Sequence, residues 1–145
     1  MTAMGSLVRV HSWALNEKRQ NLAGLEELAD KMHQDLEHLE AELNDEQRAA
    51  DGSMEGTIAF PAFVAAALER RKKLRESIAD LGLAIDAARA EVREAFQEVK
   101  KYELAQEIHE RREREKVARR EQRELDELGA NMHQRKKASG GDGGA

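Results

Sequence analysis

Apolar residues recur through the second half of the chain at alternating steps of four and three: Leu74, Ile78, Leu81, Ile85, Ala88, Val92, Ala95, Val99 and Tyr102. That spacing is a heptad seam, a single narrow stripe along an α-helix. The frame extends back through Arg71, Ala67 and Val64, and forward into Gln106, His109 and Glu113, where the apolar residues stop. Between Ala62 and Met132 there is no proline and only two glycines, Gly82 and Gly129, so the pattern predicts one helix of 71 residues. At about 1.5 Å per residue that helix is roughly 105 Å long. A stripe this narrow cannot bury itself alone. It needs a partner helix as far as Tyr102, and none, or a different one, beyond.

The partner lies earlier in the chain. Val8, His11, Leu15, Lys18, Leu22, Leu25, Ala29, Met32, Leu36, Leu39 and Leu43 step by three and four in the same way. They predict a first helix over residues 7–50, roughly 65 Å long at about 1.5 Å per residue. Residues 51–61 between the two combine Asp-Gly-Ser, Gly56 and Phe60-Pro61, which is turn chemistry followed by a proline suited to the first position of a new helix. A connection of this length allows an antiparallel hairpin. With Ala50 and Ala62 flanking the turn, facing residues have numbers totalling about 112, which sets Leu43 near Leu68 and Val8 near Leu104.

That register has two consequences. The second seam fails just after Tyr102, where the first helix runs out. The acidic cluster Glu37, Glu40, Glu42, Asp45 and Glu46 faces the basic cluster Arg70, Arg71, Lys72, Lys73 and Arg75. Exposed pairs of this kind contribute only about 0 to 1 kcal/mol each, so they set register and direction more than stability. Phe60 and Phe63 are expected to cover the apolar end of the pair; a docking patch over residues 58–63 is the alternative. The expected fold class is all-α: a long antiparallel two-helix coiled-coil hairpin over residues 7–132, with the C-terminal helix overhanging. A disordered N-terminus (1–6) and a flexible Gly-rich tail (133–145) flank it.

Beyond Leu104 about 28 residues of the second helix have no partner in the chain. Residues 109–124 hold seven basic and five acidic side chains, with Val117 and Ala118 the only apolar ones. Such a helix persists through i,i+4 pairs such as Glu115 with Arg119, each contributing a few tenths of a kcal/mol. Apolar residues return in a new phase at Ala118, Leu125, Leu128 and Met132, and nothing in the chain covers them, so the stripe is read as a partner site. Its candidate residues are Arg119, Arg120, Glu121, Arg123, Glu124, Leu125, Asp126, Glu127 and Leu128, two apolar anchors within a charged rim.

Composition supports the helical reading. Aromatic residues are 3% and charged residues 37% of the 145, too little bulk for a globular core. The net charge of -5 is uneven: residues 7–50 carry five basic and ten acidic groups, residues 62–132 sixteen of each. Neither half is a basic footprint for nucleic acid, and Arg135, Lys136 and Lys137 are too short a run to suggest more than a solvated end. With no cysteine the compartment cannot be read from redox usage; with no apolar run of membrane length and no leader pattern, the chain is expected to be cytoplasmic.

Catalysis needs convergent groups in a shielded pocket, which two helices do not offer, so neither an enzyme activity nor a small-molecule substrate is expected. No two of His11, His33, His38, His109 and His133 stand four residues apart, and neither a metal nor another cofactor is expected. Gly24 and Gly82 fall inside the helices at a cost of about 1 kcal/mol each against alanine, with close helix approach one reason and indifference another. Trp13 lies off the seam frame; it either packs on the flank beside Tyr102 or Leu104, the simpler reading, or marks the surface where the pair opens.

Two stretches are more specific than a generic coiled coil. Residues 7–19, Leu-Val-Arg-Val-His-Ser-Trp-Ala-Leu-Asn-Glu-Lys-Arg, and residues 119–128, Arg-Arg-Glu-Gln-Arg-Glu-Leu-Asp-Glu-Leu, resemble the two ends of the flagellar FliJ family, and the length and hairpin order agree. The resemblance implies a non-enzymatic component of the bacterial flagellar type III protein export apparatus, similar to the stalk of rotary ATPases. It implies three partners: the export ATPase ring, the export gate membrane protein and export substrate chaperones. It also implies a place at the cytoplasmic face of the inner membrane at the flagellar base. The competing reading is a self-associating structural coiled coil with no export role, its overhangs pairing through Ala118, Leu125 and Met132. A nucleic-acid or membrane-surface binder using the basic tail is the third.

Overall fold

The computed structural model describes residues 3–52 and 54–141. Two helices account for them: α1, Ala3–Asp51, and α2, Met54–Gly141. No strand occurs among the described residues. The chain divides into two compact units, one of Arg9–Val99 and one of Met1–Val8 with Lys100–Ala145.

The Arg9–Val99 unit is the antiparallel hairpin. Its buried residues are Leu15, Leu39, Ala50, Ala67, Leu81, Ile85, Ala88 and Val99. Most occupy the two heptad seams, and Leu22, Leu25, Ala29, Met32, Leu36, Leu43, Leu74, Ile78, Val92 and Ala95 are half-buried along the same lines. No described side chain is completely enclosed. The reason is geometric: between two helices the core is one line of side chains with solvent on both rims, so even a seam residue keeps an open edge.

Three ion pairs cross between the helices: Lys18 with Glu91 at 3.2 Å, Glu40 with Arg75 at 3.3 Å and Glu26 with Arg89 at 3.5 Å. Their residue numbers total 109, 115 and 115, which brackets the expected 112. Lys18 holds a seam position yet is exposed, because its stem can lie along the seam while the ammonium reaches out to Glu91. Of the facing acidic and basic clusters, Glu40 and Arg75 pair directly, while Glu42, Arg70 and Lys73 line one groove together with His38, Leu39 and Leu74.

The turn is tighter than the sequence pattern suggests. In place of a loop over residues 51–61, α1 runs to Asp51, the Gly52 N–H donates to the Ala49 carbonyl at 3.2 Å, and α2 begins at Met54. Residue 53 lies outside the described residues. Pro61 falls inside α2 instead of opening it. Because proline has no N–H, the carbonyl four residues before it goes without its helical partner. Phe60 and Phe63 are half-buried, Phe60 lining a groove with Leu43, Val64 and Arg71, while Ile58 is 77% exposed.

In the Met1–Val8 and Lys100–Ala145 unit, Met4, Gly5, Val8, Tyr102, Ala105 and Gln106 are half-buried, and every residue from Glu107 to Gly140 is exposed. Burial therefore ends within four residues of Tyr102, where the seam's apolar residues end. At both chain ends helix replaces expected disorder. α1 starts at Ala3, not 7, and α2 continues to Gly141 through a stretch expected to be a flexible tail from residue 133. Gln134 to Ala138 are good helix formers with no breaker among them, and the Ser139 hydroxyl donates to the Lys136 carbonyl at 3.2 Å in the last turns. Residues 1, 2 and 142–145 lie outside the described residues.

Trp13 does not pack on the flank of the seam. Counting heptads from Leu15 places it on the side of α1 opposite the seam, and it is 63% exposed. The two interior glycines are equally open: a Cβ at Gly24 or Gly82 would meet nothing within 4 Å, so close helix approach is not their reason.

Candidate functional site

All nine candidate residues, from Arg119 to Leu128, are exposed and lie on the C-terminal part of α2. No described residue of the chain covers them. At about 100° per residue a helix sorts them by angle. Leu125, Leu128 and Glu121 share one face, together with Ala118 and Met132, which are also exposed. Glu124 borders that face on one side, and Asp126 and Arg119 on the other. Arg120, Arg123 and Glu127 lie on the far side, so they do not rim the same anchors. Nine residues drawn from ten successive positions of one helix cannot converge; the structure makes a stripe of three to five residues with acidic and mixed borders.

Leu125 is 62% exposed and Leu128 56% exposed, unusual for leucines and shared with Met132 at 62%. Side-chain pairs along the helix hold the surrounding charges in place. Gln122 Nε2 donates to Asp126 Oδ1 at 3.0 Å beside Leu125. Upstream, Glu107 pairs with Arg111 at 3.8 Å and Glu113 with Lys116 at 3.3 Å, in place of the expected Glu115 with Arg119. Such pairs contribute a few tenths of a kcal/mol each, enough to bias an exposed helix toward helicity and too little to fix it rigidly.

Two residues that sequence reasoning left out of the face belong near it: Gln122, which orients Asp126, and Gly129, whose lack of a side chain opens the surface between Leu125 and Met132. The signal was available, since both fall on the Ala118, Leu125 and Met132 stripe at heptad spacing. Among the described residues there is no group of three or more His, Asp or Glu placed to hold a metal ion, and no helix long and apolar enough to cross a membrane.

A helical hairpin held by a heptad seam, whose longer helix carries exposed apolar residues beyond it, is the architecture of a coiled-coil protein. Residues 1–138 match the family model described as Flagellar FliJ protein, and the chain belongs to that family. It is accordingly a flagellar export-related protein. No curated protein and no solved structure matches the chain significantly.

Proposed function

We propose that the chain is a non-enzymatic coupling element of the flagellar export apparatus that docks on the export ATPase ring through the C-terminal part of α2. The observation that carries this reading is the exposure of Leu125, Leu128 and Met132 on one face of a helix whose every residue from Glu107 to Gly140 is open to solvent. A helix docks into a groove through apolar anchors at i, i+3 and i+7, which these three residues supply. Glu121 on the face and Glu124 and Asp126 at its borders outnumber Arg119, which favours a groove with basic margins. The export gate membrane protein and the substrate chaperones are further partners of this reading, which places the chain at the cytoplasmic face of the membrane at the flagellar base. The hairpin is free to serve them, since its outer faces take no part in the seam.

The coupling itself is a matter of differential contact: a helix shifts a ring between conformational states only by the difference in its affinity for them. The test is the rate of ATP hydrolysis by the purified export ATPase with the full chain and with the chain truncated after Leu104. Stimulation by the full chain that disappears on truncation is expected. Equal stimulation by the truncated chain would move the working surface to the hairpin, and neither binding nor stimulation would remove the reading.

A further inference from the structure

Of the large exposed apolar side chains described after Lys100, four lie on a second heptad seam, and Val117 and Leu128 lie off it. Leu104, Ile108, Ala118, Leu125 and Met132 fall on steps of four and three, with Arg111, Glu115, Gln122 and Gly129 completing the series. Leu104 and Ile108 are 56% and 38% exposed, whereas Tyr102, Ala105 and Gln106 beside them are half-buried. The second seam is therefore a different face from the one buried in the same unit. Both ends of the series are apolar and its middle is polar or small.

We infer that this seam pairs antiparallel with the same seam of a second copy of the chain, about a two-fold axis at Ala118. The argument is charge complementarity, read with the hairpin as its own template. In the hairpin, Leu39 and Leu74 share a groove with Asp35, Glu42, Arg70 and Ser77 in its lining, and the seam register sets Asp35 across from Ser77 and Glu42 across from Arg70. The numbers of those border pairs total one less than the Leu39 and Leu74 total, the ion pairs Glu40 with Arg75 and Glu26 with Arg89 total two more, and Lys18 with Glu91 totals four less. Placing Ala118 against Ala118 puts Leu104 against Met132 and Arg111 against Leu125. The same offsets then set Arg114 against Glu121 and Arg112 against Asp126, each pair occurring twice by symmetry.

Other arrangements lose that match. Sliding the two copies by one heptad in one direction sets Arg112 against Arg119 and Arg114 against Arg114; sliding them the other way sets Glu121 against Glu121. Parallel pairing stacks Arg111 on Arg111 and Glu115 on Glu115 in the seam and sets Arg114 beside Arg119. Among the described residues Arg112, Arg114 and Glu121 have no ion pair within the chain, so they are available to a second copy. One repulsion remains in the favoured register, Arg119 against its own counterpart.

This inference does not depend on ATPase docking, and its test contains no ATPase. The mass of the full-length chain is measured by light scattering and sedimentation across a concentration series, for the wild type, Arg112→Glu, Asp126→Arg and the double variant. A concentration-dependent dimer is expected. Each single reversal turns two attractive pairs into repulsive ones and is expected to weaken it about 10-fold, and the double variant to restore it. Arg112 and Asp126 are fourteen residues apart on one helix, so restoration can only come from a second chain. Arg119→Gln is expected to tighten the dimer. A monomer at every concentration overturns the inference, as does a dimer that ignores the single reversals or is not restored by the double variant. Helical circular dichroism of each variant confirms that these exposed substitutions leave the fold in place.

Discussion

Leu39 and Leu83 allow the hairpin seam to be tested with one substitution at two sites. Leu39 is 3% exposed in the α1 seam and Leu83 is 71% exposed on the outer side of α2. Leucine to alanine changes helix propensity by the same small amount in both places, so the propensity term cancels and burial remains. Fully enclosed leucines lose about 3 to 5 kcal/mol on this change. A seam residue has an open rim into which neighbours and water can move, which places Leu39→Ala at the lower edge, about 2 to 3 kcal/mol. For a cooperative unit of Arg9–Val99, each kcal/mol lowers the melting temperature by roughly 4 to 8 °C, so a fall of roughly 10 to 20 °C is expected. Leu83→Ala is expected to stay within about 0.5 kcal/mol of wild type, a shift of a few degrees at most. Thermal melts followed by circular dichroism at low micromolar chain measure both. Equal losses, or a larger loss at Leu83, would show that the seam is not the face that holds the hairpin together.

Three further outcomes follow from the same structure. Gly24→Ala and Gly82→Ala are each expected to stabilise the hairpin by about 1 kcal/mol, because alanine restores helix propensity and its methyl meets open space; denaturant melts that show loss would mean a close neighbour sits there. Pro61→Ala is expected to stabilise by about 1 to 2 kcal/mol, the interior cost of proline less its restriction of the unfolded chain; no gain in the melt would mean the first turns of α2 contribute nothing to stability. Leu125→Arg is expected to weaken binding to the export ATPase while leaving helix content and the hairpin's melting temperature within error of wild type, since Leu125 lies outside the hairpin seam; unchanged affinity in a pull-down titration would remove Leu125 as an anchor.

The hairpin was legible because two heptad series of unequal length constrain one another. Leu39 and Leu81 could be named as seam residues from spacing alone, and the register followed from placing one turn between two series. What spacing could not supply was the length of that turn. Pro61 and Gly56 read as breakers in any local window, yet a proline eight residues into a helix costs less than unwinding two turns that carry Ile58, Ala59 and half-buried Phe60. Local propensity lost to continuity of the helix. Trp13 failed for a different reason: a lone aromatic invites burial, but its heptad position points away from the only core available, and position decides in a core one side chain wide.

The candidate face was legible as a stretch and not as a surface. A list that follows the chain from Arg119 to Leu128 mixes all sides of a helix, and only the 100° step separates Leu125 and Leu128 from Arg120, Arg123 and Glu127. Applied along the whole exposed segment, that step joins Leu125 to Leu104 and Ile108, on the near side of the charged stretch. α2 thus carries two seams in succession, one dense in leucine, isoleucine and valine, the other interrupted by Arg111, Glu115 and Gln122. The dense seam is made for a permanent partner, because every step adds apolar burial. The interrupted one gains little per step and relies on charges at its borders, which fix orientation at small cost in affinity. A surface of that kind can exchange one helical partner for another, and Leu125, central to both pairings drawn for it, is the residue over which a second copy and an ATPase groove would compete.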